Sequence, residues 1–490
     1  MSETARRPER TRIEVRSIDY VPRAERHGKV WHQGPFWFAG NFVLVTMVTG
    51  FIGVSLGLSL GWTLLAIVLG VGFGTFFMAF HANQGPRMGL PQMIQSRAQF
   101  GSRGAVLPFA ATVFVYVGFI VFDLILATQA LQLVLPGGPW FWYPALALLS
   151  IAIAVVGHDL LHFVQRWLTY VLLAFFGVFT VWAIVHLGDA AQPVQTGWSL
   201  TGFLTMFSVA AGYQISYSVY VSDYSRYLPA DTPAGKVIAW TYLGAGGSAI
   251  WLMGLGALLA DRLEAPDAIG SLVTVGNELF PHFGTALVLV SVPALIGIMS
   301  VNAYGAMLTS ASAVDGFRRI SPGVRTRITG IVVVMILSVV IALVLPEDYL
   351  GSFNTFVLLM LYFLIPWTAV NLVDFYFVRR GRYAITEIFR PRGIYGTWPA
   401  RGLVPYLAGV LAMVPFVVTT AYTGPVAEAL GGVDVSFLVG LVVAGGLYLV
   451  LSRSLDTAAE ERARVRSDEE LESLVRQGRT HSPDGFEPLA

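Results

Sequence analysis

Long apolar runs separated by short polar segments cover most of this chain. A helix needs about 20 consecutive apolar residues to cross the hydrocarbon core of a bilayer. Runs of that kind predict an all-α integral membrane protein with twelve membrane-spanning helices. The predicted limits of spans 1 to 12 are 35–59, 62–80, 107–135, 144–157, 168–187, 201–222, 237–260, 285–313, 329–345, 352–377, 403–421 and 435–452.

The basic residues test this count, because loops on the cytoplasmic side of a membrane carry an excess of Lys and Arg. If the N-terminus is inside, the basic residues fall in the tails and in alternate loops, and Arg262 alone of the 31 Lys and Arg falls outside. An error of one span would invert every later loop. We therefore expect an even number of spans in the cytoplasmic membrane, with both chain termini in the cytoplasm.

Composition agrees with a membrane protein and excludes some chemistry. The chain is 55% hydrophobic and 12% charged, whereas about a quarter of the residues are charged in soluble proteins. It contains no cysteine, which excludes disulfides and thiol-ligated metals, and its net charge of +1 gives no indication of a nucleic-acid partner. Residues 1–33 form an Arg-rich polar tail, so no cleavable signal peptide is expected. Residues 453–490 form a second charged tail, in which we expect a solvated helix.

Spans 1 and 6 each contain a glycine and an amide where lipid would favour apolar side chains. In span 1 these are Gly40 and Asn41, and in span 6 they are Gly212 and Gln214. A buried amide needs hydrogen-bond partners, and glycine lets a helix open so that main-chain groups can face a ligand. Two broken helices in matching places predict a transporter with a small-molecule site near mid-membrane. The alternative is close helix packing at Gly40, with Asn41 bonded to a neighbour.

Asp123 lies near the centre of span 3, and no other acidic or basic residue lies in the middle of a predicted span. An acidic side chain at that depth costs roughly 2.5–3.5 kcal/mol on insertion, so it is a functional candidate by default. The alternative is a carboxylate that a neighbouring helix satisfies. Span 8 adds Gly297, Ser300 and Asn302 near its centre, where small residues can also serve close packing alone.

Other classes of function fit these polar residues less well. A channel would present rings of repeated polar residues, whereas this chain offers single, unlike groups on different spans. An enzyme would need a base and a nucleophile or metal ligands at one depth, so we expect no catalytic activity. His158 and His162 have the i, i+4 spacing of a helical metal site. They fall in a predicted inner loop of a chain without cysteine, so we expect neither a metal nor a cofactor.

Four segments together resemble the nucleobase:cation symporter-1 family, which includes cytosine permeases, purine-cytosine permeases and hydantoin transporters. They are PRMGLPQMIQSRAQFG after span 2, GYQISYSVYVSDYSRY in span 6, the Gly297-to-Asn302 core of span 8, and FWFAGN in span 1, which is similar to the purine-cytosine branch. The resemblance implies a leucine-transporter-like fold with broken helices 1 and 6. Residues 34–402 would then form a ten-helix core of inverted repeats, about 34–190 and 200–380, followed by two additional helices in 403–452.

The resemblance implies a substrate site between spans 1, 3, 6 and 8. By position, the substrate-binding residues are Asn41, Phe119, Asp123, Gln214 and Asn302. Phe119 offers an aromatic face for stacking on a flat base, while amides and a carboxylate match the polar edge of that base. Gln214 occupies a position that is often Trp in hydantoin transporters, which disfavours a hydantoin. The amino group of cytosine, adenine or guanine suits Asp123 better than uracil does.

The resemblance also implies a cation site formed by carbonyl groups of span 1 at Trp37 and Gly40, with Gly297 and Ser300 of span 8. Residue 301 is Val, so one hydroxyl ligand of sodium-coupled relatives is missing, and a hard cation would be held poorly. Asp123 can instead carry a proton if it is buried. We therefore expect coupling to H⁺ rather than Na⁺.

Together these observations predict a monomeric importer of cytosine or a purine, driven by proton symport, with the nucleobase and the lipid bilayer as its partners. Another small heterocycle remains open as the substrate, whether uracil, a hydantoin, allantoin or a vitamin precursor. An amino-acid or osmolyte carrier of the same fold is a further alternative. Asp123 disfavours that alternative, because a buried carboxylate repels a substrate that carries a negative charge.

Overall fold

The computed structural model describes residues 20–476, apart from 157, 191–196, 264–266, 319–323 and 347. In this part of the chain the regular elements are helices. Seven of the described helices are long and apolar enough to cross a membrane, and the number rises to nine if each of two bent helix pairs counts as one span. Shorter apolar helices, Pro139–Val155 and Ala400–Phe416, coincide with predicted spans 4 and 11.

The α-helices before the middle of the chain are α1 (Gln33–Asn41), α2 (Leu44–Thr49), α3 (Phe51–Ser55), α4 (Leu60–Ala82), α5 (Gln84–Met88), α6 (Gln92–Gln95), α7 (Arg97–Phe100), α8 (Val106–Gln132), α9 (Pro139–Val156), α10 (His158–Ala190), α11 (Leu200–Ser216) and α12 (Val221–Ser225). Those that follow are α13 (Ala234–Arg262), α14 (Ala268–Leu279), α15 (Phe283–Asp315), α16 (Val324–Val344), α17 (Tyr349–Val373), α18 (Ile385–Ile388), α19 (Ala400–Met413), α20 (Pro425–Ala429), α21 (Ser436–Ser452) and α22 (Thr457–Arg476). A π-helical turn, Asp374–Val378, extends α17.

Span 1 is broken, but the break lies later than the sequence predicts. Gly40 and Asn41 belong to α1, and the chain leaves the helix at Phe42 and Val43, where it bends by 70° before α2. The hydroxyl of Thr46 donates to the main-chain oxygen of Asn41 at 2.7 Å. A side chain from α2 therefore satisfies a carbonyl that the end of α1 leaves free.

Span 6 does not open at Gly212, and that prediction is wrong. Helix α11 is continuous to Ser216, and the regular α-helix gives way only at a 3₁₀ turn, Tyr217–Val219. The glycine is required for packing, because a Cβ at this position would lie 2.9 Å from the main-chain oxygen of Val357 and 3.2 Å from Cβ of Leu361. Gly212 thus lets α11 approach α17 closely.

Two groups of helices surround the centre of the molecule. In the first group, α1 packs on α13, and α11 packs on α4. Glycine allows both approaches: a Cβ at Gly74 would lie 2.3 Å from the main-chain oxygen of Ala211, and one at Gly244 would lie 2.2 Å from that of Gly34. In the second group, α8 packs on α15 and α16. Helix α17 contacts both groups, through α11 and through α8.

The charged C-terminal helix α22 is packed against the protein, whereas the sequence predicts a solvated helix. Its residues Ala463, Ser467 and Leu471 are buried. The Ser467 hydroxyl accepts a hydrogen bond from the main-chain N–H of Thr386 at 3.0 Å, and Arg390 pairs with Glu470 at 2.9 Å. A short face of small and apolar residues, together with these polar contacts, thus docks a mostly charged helix.

Arg379 links α22 to the end of α17. Its guanidinium lies 2.7 Å from a carboxylate oxygen of Asp374 and 2.7 Å from one of Glu460. Asp374 also accepts from Gln99 Nε2 at 2.6 Å and from the Tyr448 hydroxyl at 2.8 Å. Burial lowers the pKa of Arg379, but the carboxylates of Asp374 and Glu460 outweigh burial and raise that pKa well above its usual range. The result is a buried network of ion pairs and hydrogen bonds between α7, α17, α21 and α22.

Candidate functional site

Two of the amides that the sequence singles out bond to each other. Asn41 Nδ2 donates to Gln214 Oε1 at 2.9 Å and to the main-chain oxygen of Ala245 at 2.9 Å. Gln214 Nε2 donates to Thr75 Oγ1 at 2.8 Å. Both amides are fully buried. They therefore tie α1 and α11 to α4 and α13, and the Gln214 side chain is held within this group of helices.

Two tyrosines lie beside this pair of amides, Tyr213 of α11 and Tyr217 of the 3₁₀ turn that follows α11. The Tyr217 hydroxyl donates to Asn41 Oδ1 at 3.0 Å. The Tyr213 hydroxyl and Thr46 Oγ1 are 2.7 Å apart and share a hydrogen bond. None of these three side chains is among the predicted site residues, although Tyr217 belongs to a run of polar groups on span 6, some of which are expected to line a cavity. Tyrosines at 213, 217, 220 and 224 recur at helical spacing, which could have indicated one polar aromatic face on span 6.

Asp123 lies inside the protein rather than against lipid. Its side chain is 2% exposed, and its Oδ2 has no hydrogen-bond partner among the described residues. Its neighbours on α8 contact two other helices, because the ring of Phe119 packs on Tyr213 of α11 and the ring of Phe122 packs on Tyr349 of α17. Asp123 therefore lies in the polar region where α8 packs on α11 and α17.

Phe119 precedes Asp123 by one helical turn and contributes to the wall of this region. Its ring centroid lies 5.7 Å from that of Tyr213, with the ring planes at 87°. On the other side it lies 5.5 Å from the ring of Phe356, at 88°. Phe119 is buried. The predicted aromatic face of α8 thus meets α11 and α17 edge to face, a favourable arrangement of aromatic rings.

Aromatic rings also stack between α1, α8 and the turn after α11. The ring of Tyr220 lies 6.1 Å from that of Trp37 and 5.8 Å from that of Tyr116. Trp37 is buried, and its indole N–H donates to Gln33 Oε1 at 3.1 Å. Tyr220 therefore links α1 to α8 through its ring contacts.

The predicted residues of span 8 all lie on α15. Asn302, Gly297 and Ser300 are buried. The Ser300 hydroxyl donates to the main-chain oxygen of Ile296 at 2.8 Å, so its oxygen lone pairs are what it can offer to a cation. Among the described residues, no hydrogen bond joins Asn302 to Asn41, Asp123 or Gln214. Gly40, on α1, is exposed, and a Cβ there would meet only the Trp37 ring at 4.0 Å.

Within the described residues, no group of three or more His, Asp or Glu side chains could hold a metal ion. The side chains of His158 and His162 lie outside the described residues.

An apolar groove of about 310 Å³ lies between α4, α17 and α21, and it includes none of the predicted site residues. Its lining comprises Phe76, Phe77, Phe80, Thr368, Ala369, Leu372, Val373, Tyr376, Phe377 and Leu441.

Known proteins resemble this chain over most of its length. A sequence family described as permeases for cytosine/purines, uracil, thiamine and allantoin matches residues 20–440. A protein of Bacillus subtilis that carries the name purine-cytosine permease is 37% identical over 446 residues, which are 90% of this chain and 96% of that protein. A purine-cytosine permease of Emericella nidulans is 26% identical over 478 residues, which are 90% of this chain and 88% of that protein.

Solved structures share the fold. An inward-facing structure of Mhp1 superposes with a TM-score of 0.71 at 18% identity, over 94% of this chain and 98% of that one. A closed structure of Mhp1, described as a nucleobase-cation-symport-1 family transporter with bromovinylhydantoin bound, gives 0.70 at 18% identity, over 91% and 98% of the two chains. The all-helical architecture is therefore that of Mhp1.

Proposed function

This chain belongs to the family of permeases for cytosine and purines, uracil, thiamine and allantoin, and we propose that it imports cytosine or a purine across the cytoplasmic membrane. Its relatives are permeases, so the chain is a transporter rather than an enzyme. The names of the Bacillus and Emericella proteins favour cytosine and purines within the wider range of substrates that the family covers.

The observation that carries this proposal is a buried, unpartnered carboxylate oxygen beside an aromatic wall. Asp123 Oδ2 has no hydrogen-bond partner among the described residues, and Phe119 lies one turn away on the same helix. A flat heterocycle needs an aromatic face and a few polar groups that match its edge. Phe119 would supply the face, and Asp123 would accept a hydrogen bond from the substrate.

The balance of donors and acceptors favours a base that carries an amino group. The Tyr217 hydroxyl already donates its proton to Asn41, so its remaining lone pairs are acceptors. Asp123 accepts as well. A substrate that pairs with these groups must bring N–H donors, which cytosine, adenine and guanine present on an amino group. Uracil has no amino group, so its donors are limited to its two ring N–H groups.

The residues of the site favour coupling to protons over coupling to sodium ions. An unpaired carboxylate is costly to bury, so Asp123 gains stability when it binds a proton or a substrate donor. The alternative is a sodium site formed by Trp37 and Gly40 with Gly297 and Ser300. Val301 supplies no hydroxyl there, which leaves a hard cation with fewer oxygen ligands than it requires.

We infer that the chain crosses the cytoplasmic membrane twelve times, as two inverted repeats plus two helices, with both termini in the cytoplasm. The excess of Lys and Arg in alternate loops supports that orientation. Large apolar side chains are exposed along α4, α10 and α16, as lipid contact requires; examples are Val68, Leu69, Val181, Val185, Val333 and Ile336. We also propose that the monomer is the transporting unit.

Uptake by cells that express the protein tests the proposal. Labelled cytosine, adenine, guanine, hypoxanthine and uracil would be supplied with and without a proton uncoupler, and with and without sodium. We expect accumulation of cytosine or an aminopurine that the uncoupler abolishes and that sodium does not affect. Cells carrying the empty vector provide the background.

Different results would overturn different parts of the proposal. Dependence of uptake on sodium would refute proton coupling and leave the substrate class intact. Uptake of none of the five bases would refute the substrate class and favour another heterocycle, such as allantoin or thiamine, which the family description includes. Passive equilibration without accumulation would refute symport and favour a channel.

A further inference from the structure

Tyr349 is the first residue of α17, and its buried hydroxyl has no hydrogen-bond partner among the described residues. The same is true of Asp123 Oδ2 on α8. Leaving one buried polar atom unpaired is unfavourable, because the atom has lost its water without gaining a partner. Two such atoms in one region indicate that a third group joins them when the site is occupied.

Ring contacts fix the position of Tyr349 against α8. Its ring centroid lies 5.4 Å from that of Phe122, the residue before Asp123, with the ring planes at 87°. It also stacks on Phe353 at 5.9 Å. The hydroxyl interacts electrostatically with Asp123 and with Tyr213. The first turn of α17 therefore packs against the turn of α8 that carries Asp123.

Aromatic rings enclose this region on the side of α17. The ring of Phe356 lies 5.5 Å from that of Phe119 and 5.3 Å from that of Phe122. A flat base that stacks on Phe119 would therefore present its edge toward Asp123 and Tyr349. No lysine or arginine lies in the middle of α8, α11 or α17, so hydrogen bonds rather than ion pairs must hold that edge.

We propose that Tyr349 is a specificity-determining residue that, together with Asp123, recognises an amino group next to an unprotonated ring nitrogen. This inference rests on the proposed function. Asp123 would accept from the amino N–H, and the Tyr349 hydroxyl would donate to the neighbouring ring nitrogen. Cytosine, adenine and guanine all carry this pair of atoms.

A ligand that lacks the ring nitrogen would leave the Tyr349 proton unpaired. A site whose polar groups are left unpaired by the wrong ligand discriminates strongly against it. Tyr349 would thus separate bases that present an acceptor beside their N–H donor from compounds that do not.

The test combines a change in the protein with a change in the ligand. Competition with labelled cytosine uptake would compare cytosine with 3-deazacytosine, in which a C–H group replaces the ring nitrogen beside the amino group. In the wild-type protein we expect 3-deazacytosine to bind about tenfold more weakly. In Tyr349→Phe we expect cytosine to weaken by a similar factor, so that the two compounds bind equally.

Tyr362→Phe is the matched control, because it removes a hydroxyl from the same helix. That hydroxyl bonds to Asp434 and to the main-chain oxygen of Val418, away from Asp123. The control should leave the ratio between cytosine and 3-deazacytosine at the wild-type value. Protein abundance in the membrane would be measured for each variant, so that uptake is compared per molecule.

Each outcome decides the matter. Equal affinities for the two compounds in the wild-type protein would overturn the inference without any variant. A ratio that stays unchanged in Tyr349→Phe would show that the hydroxyl acts elsewhere, and would also overturn it. If the wild-type protein binds neither compound and transports no base, the proposed function itself fails, and that result is distinct from a nucleobase transporter that is indifferent to the ring nitrogen.

Discussion

Asn41 and Gln214 lie 173 positions apart in the chain, and their side-chain amides form a direct hydrogen bond of 2.9 Å. Both amides are fully buried, and both also bond to the main-chain oxygen of Ala245. The amides thus bond mainly within the protein, and Asp123 Oδ2 is a predicted site atom that has no hydrogen-bond partner among the described residues. The two amides are therefore best understood as the junction that holds the broken helix α1 against α11.

Replacing Gln214 with Ala should destabilise the protein while its order of preference among bases stays the same. The change leaves Asn41 and Thr75 with unpaired groups in the interior, at a cost of about 1–3 kcal/mol each. Thermal unfolding in detergent would measure the loss. Gln132→Ala removes an exposed amide that bonds only to Gly137 and should have little effect. A new order of preference in a fully stable Gln214→Ala protein would instead mean that the amide touches substrate.

Replacing Phe119 with Leu should weaken substrate binding, whereas Trp at the same position should retain it. Leucine keeps an apolar side chain of similar size but removes the aromatic face. Stacking of a base on an aromatic ring contributes roughly 1–3 kcal/mol, or about 5- to 150-fold in affinity. Binding to purified protein would be measured directly. Phe114→Leu, on the same helix with its ring toward Phe356 and Phe363, is the control, and equal losses in both variants would argue against stacking.

Asp123→Asn should abolish accumulation of substrate that a pH gradient drives. The asparagine cannot carry the proton, so the substrate gradient would no longer be coupled to the proton gradient. Exchange of labelled for unlabelled base in proteoliposomes needs no net proton movement and should survive. Asp267→Asn is a matched control, because Asp267 caps α14 and asparagine is an equally good cap. Concentrative uptake by Asp123→Asn would refute the role of this carboxyl in coupling.

Arg379→Gln should strongly destabilise the protein. The Asp374 carboxylate is completely buried, and the change removes its positive partner. Breaking a buried ion pair in this way costs about 3–5 kcal/mol, because the remaining charge has no compensation. Glu460→Gln should cost less, since Glu460 is partly exposed. Thermal unfolding would compare the stabilities of the variants.

Glu461→Gln is the control, because its partner Arg464 lies on the same helix. This variant should be as stable as the wild type. An equally large loss of stability in the control would show that α22 is sensitive to any change of charge.

Much of the fold could be predicted from the apolar runs. Twenty-residue hydrophobic segments can be satisfied only by helices in a membrane, so the positions of the long helices α4, α8, α13, α15 and α17 follow from sequence alone. Helix ends and breaks were less accurate. Whether Gly212 opens a helix or packs it depends on what faces the glycine, and Val357 of α17 is distant in sequence. The docking of α22 was missed because its buried face is short and surrounded by charge.

The candidate site shows the same division. That Asp123 is a lone carboxyl within an apolar helix is a property of the sequence, since no neighbour is needed to see that lipid would reject it. Which groups surround it was decided by the tertiary structure, because Tyr213, Tyr217 and Tyr349 are brought close to it by the packing of α11 and α17. The sequence determines which polar groups lie in each apolar segment, whereas the partners of a buried polar group depend on helices that meet only after folding.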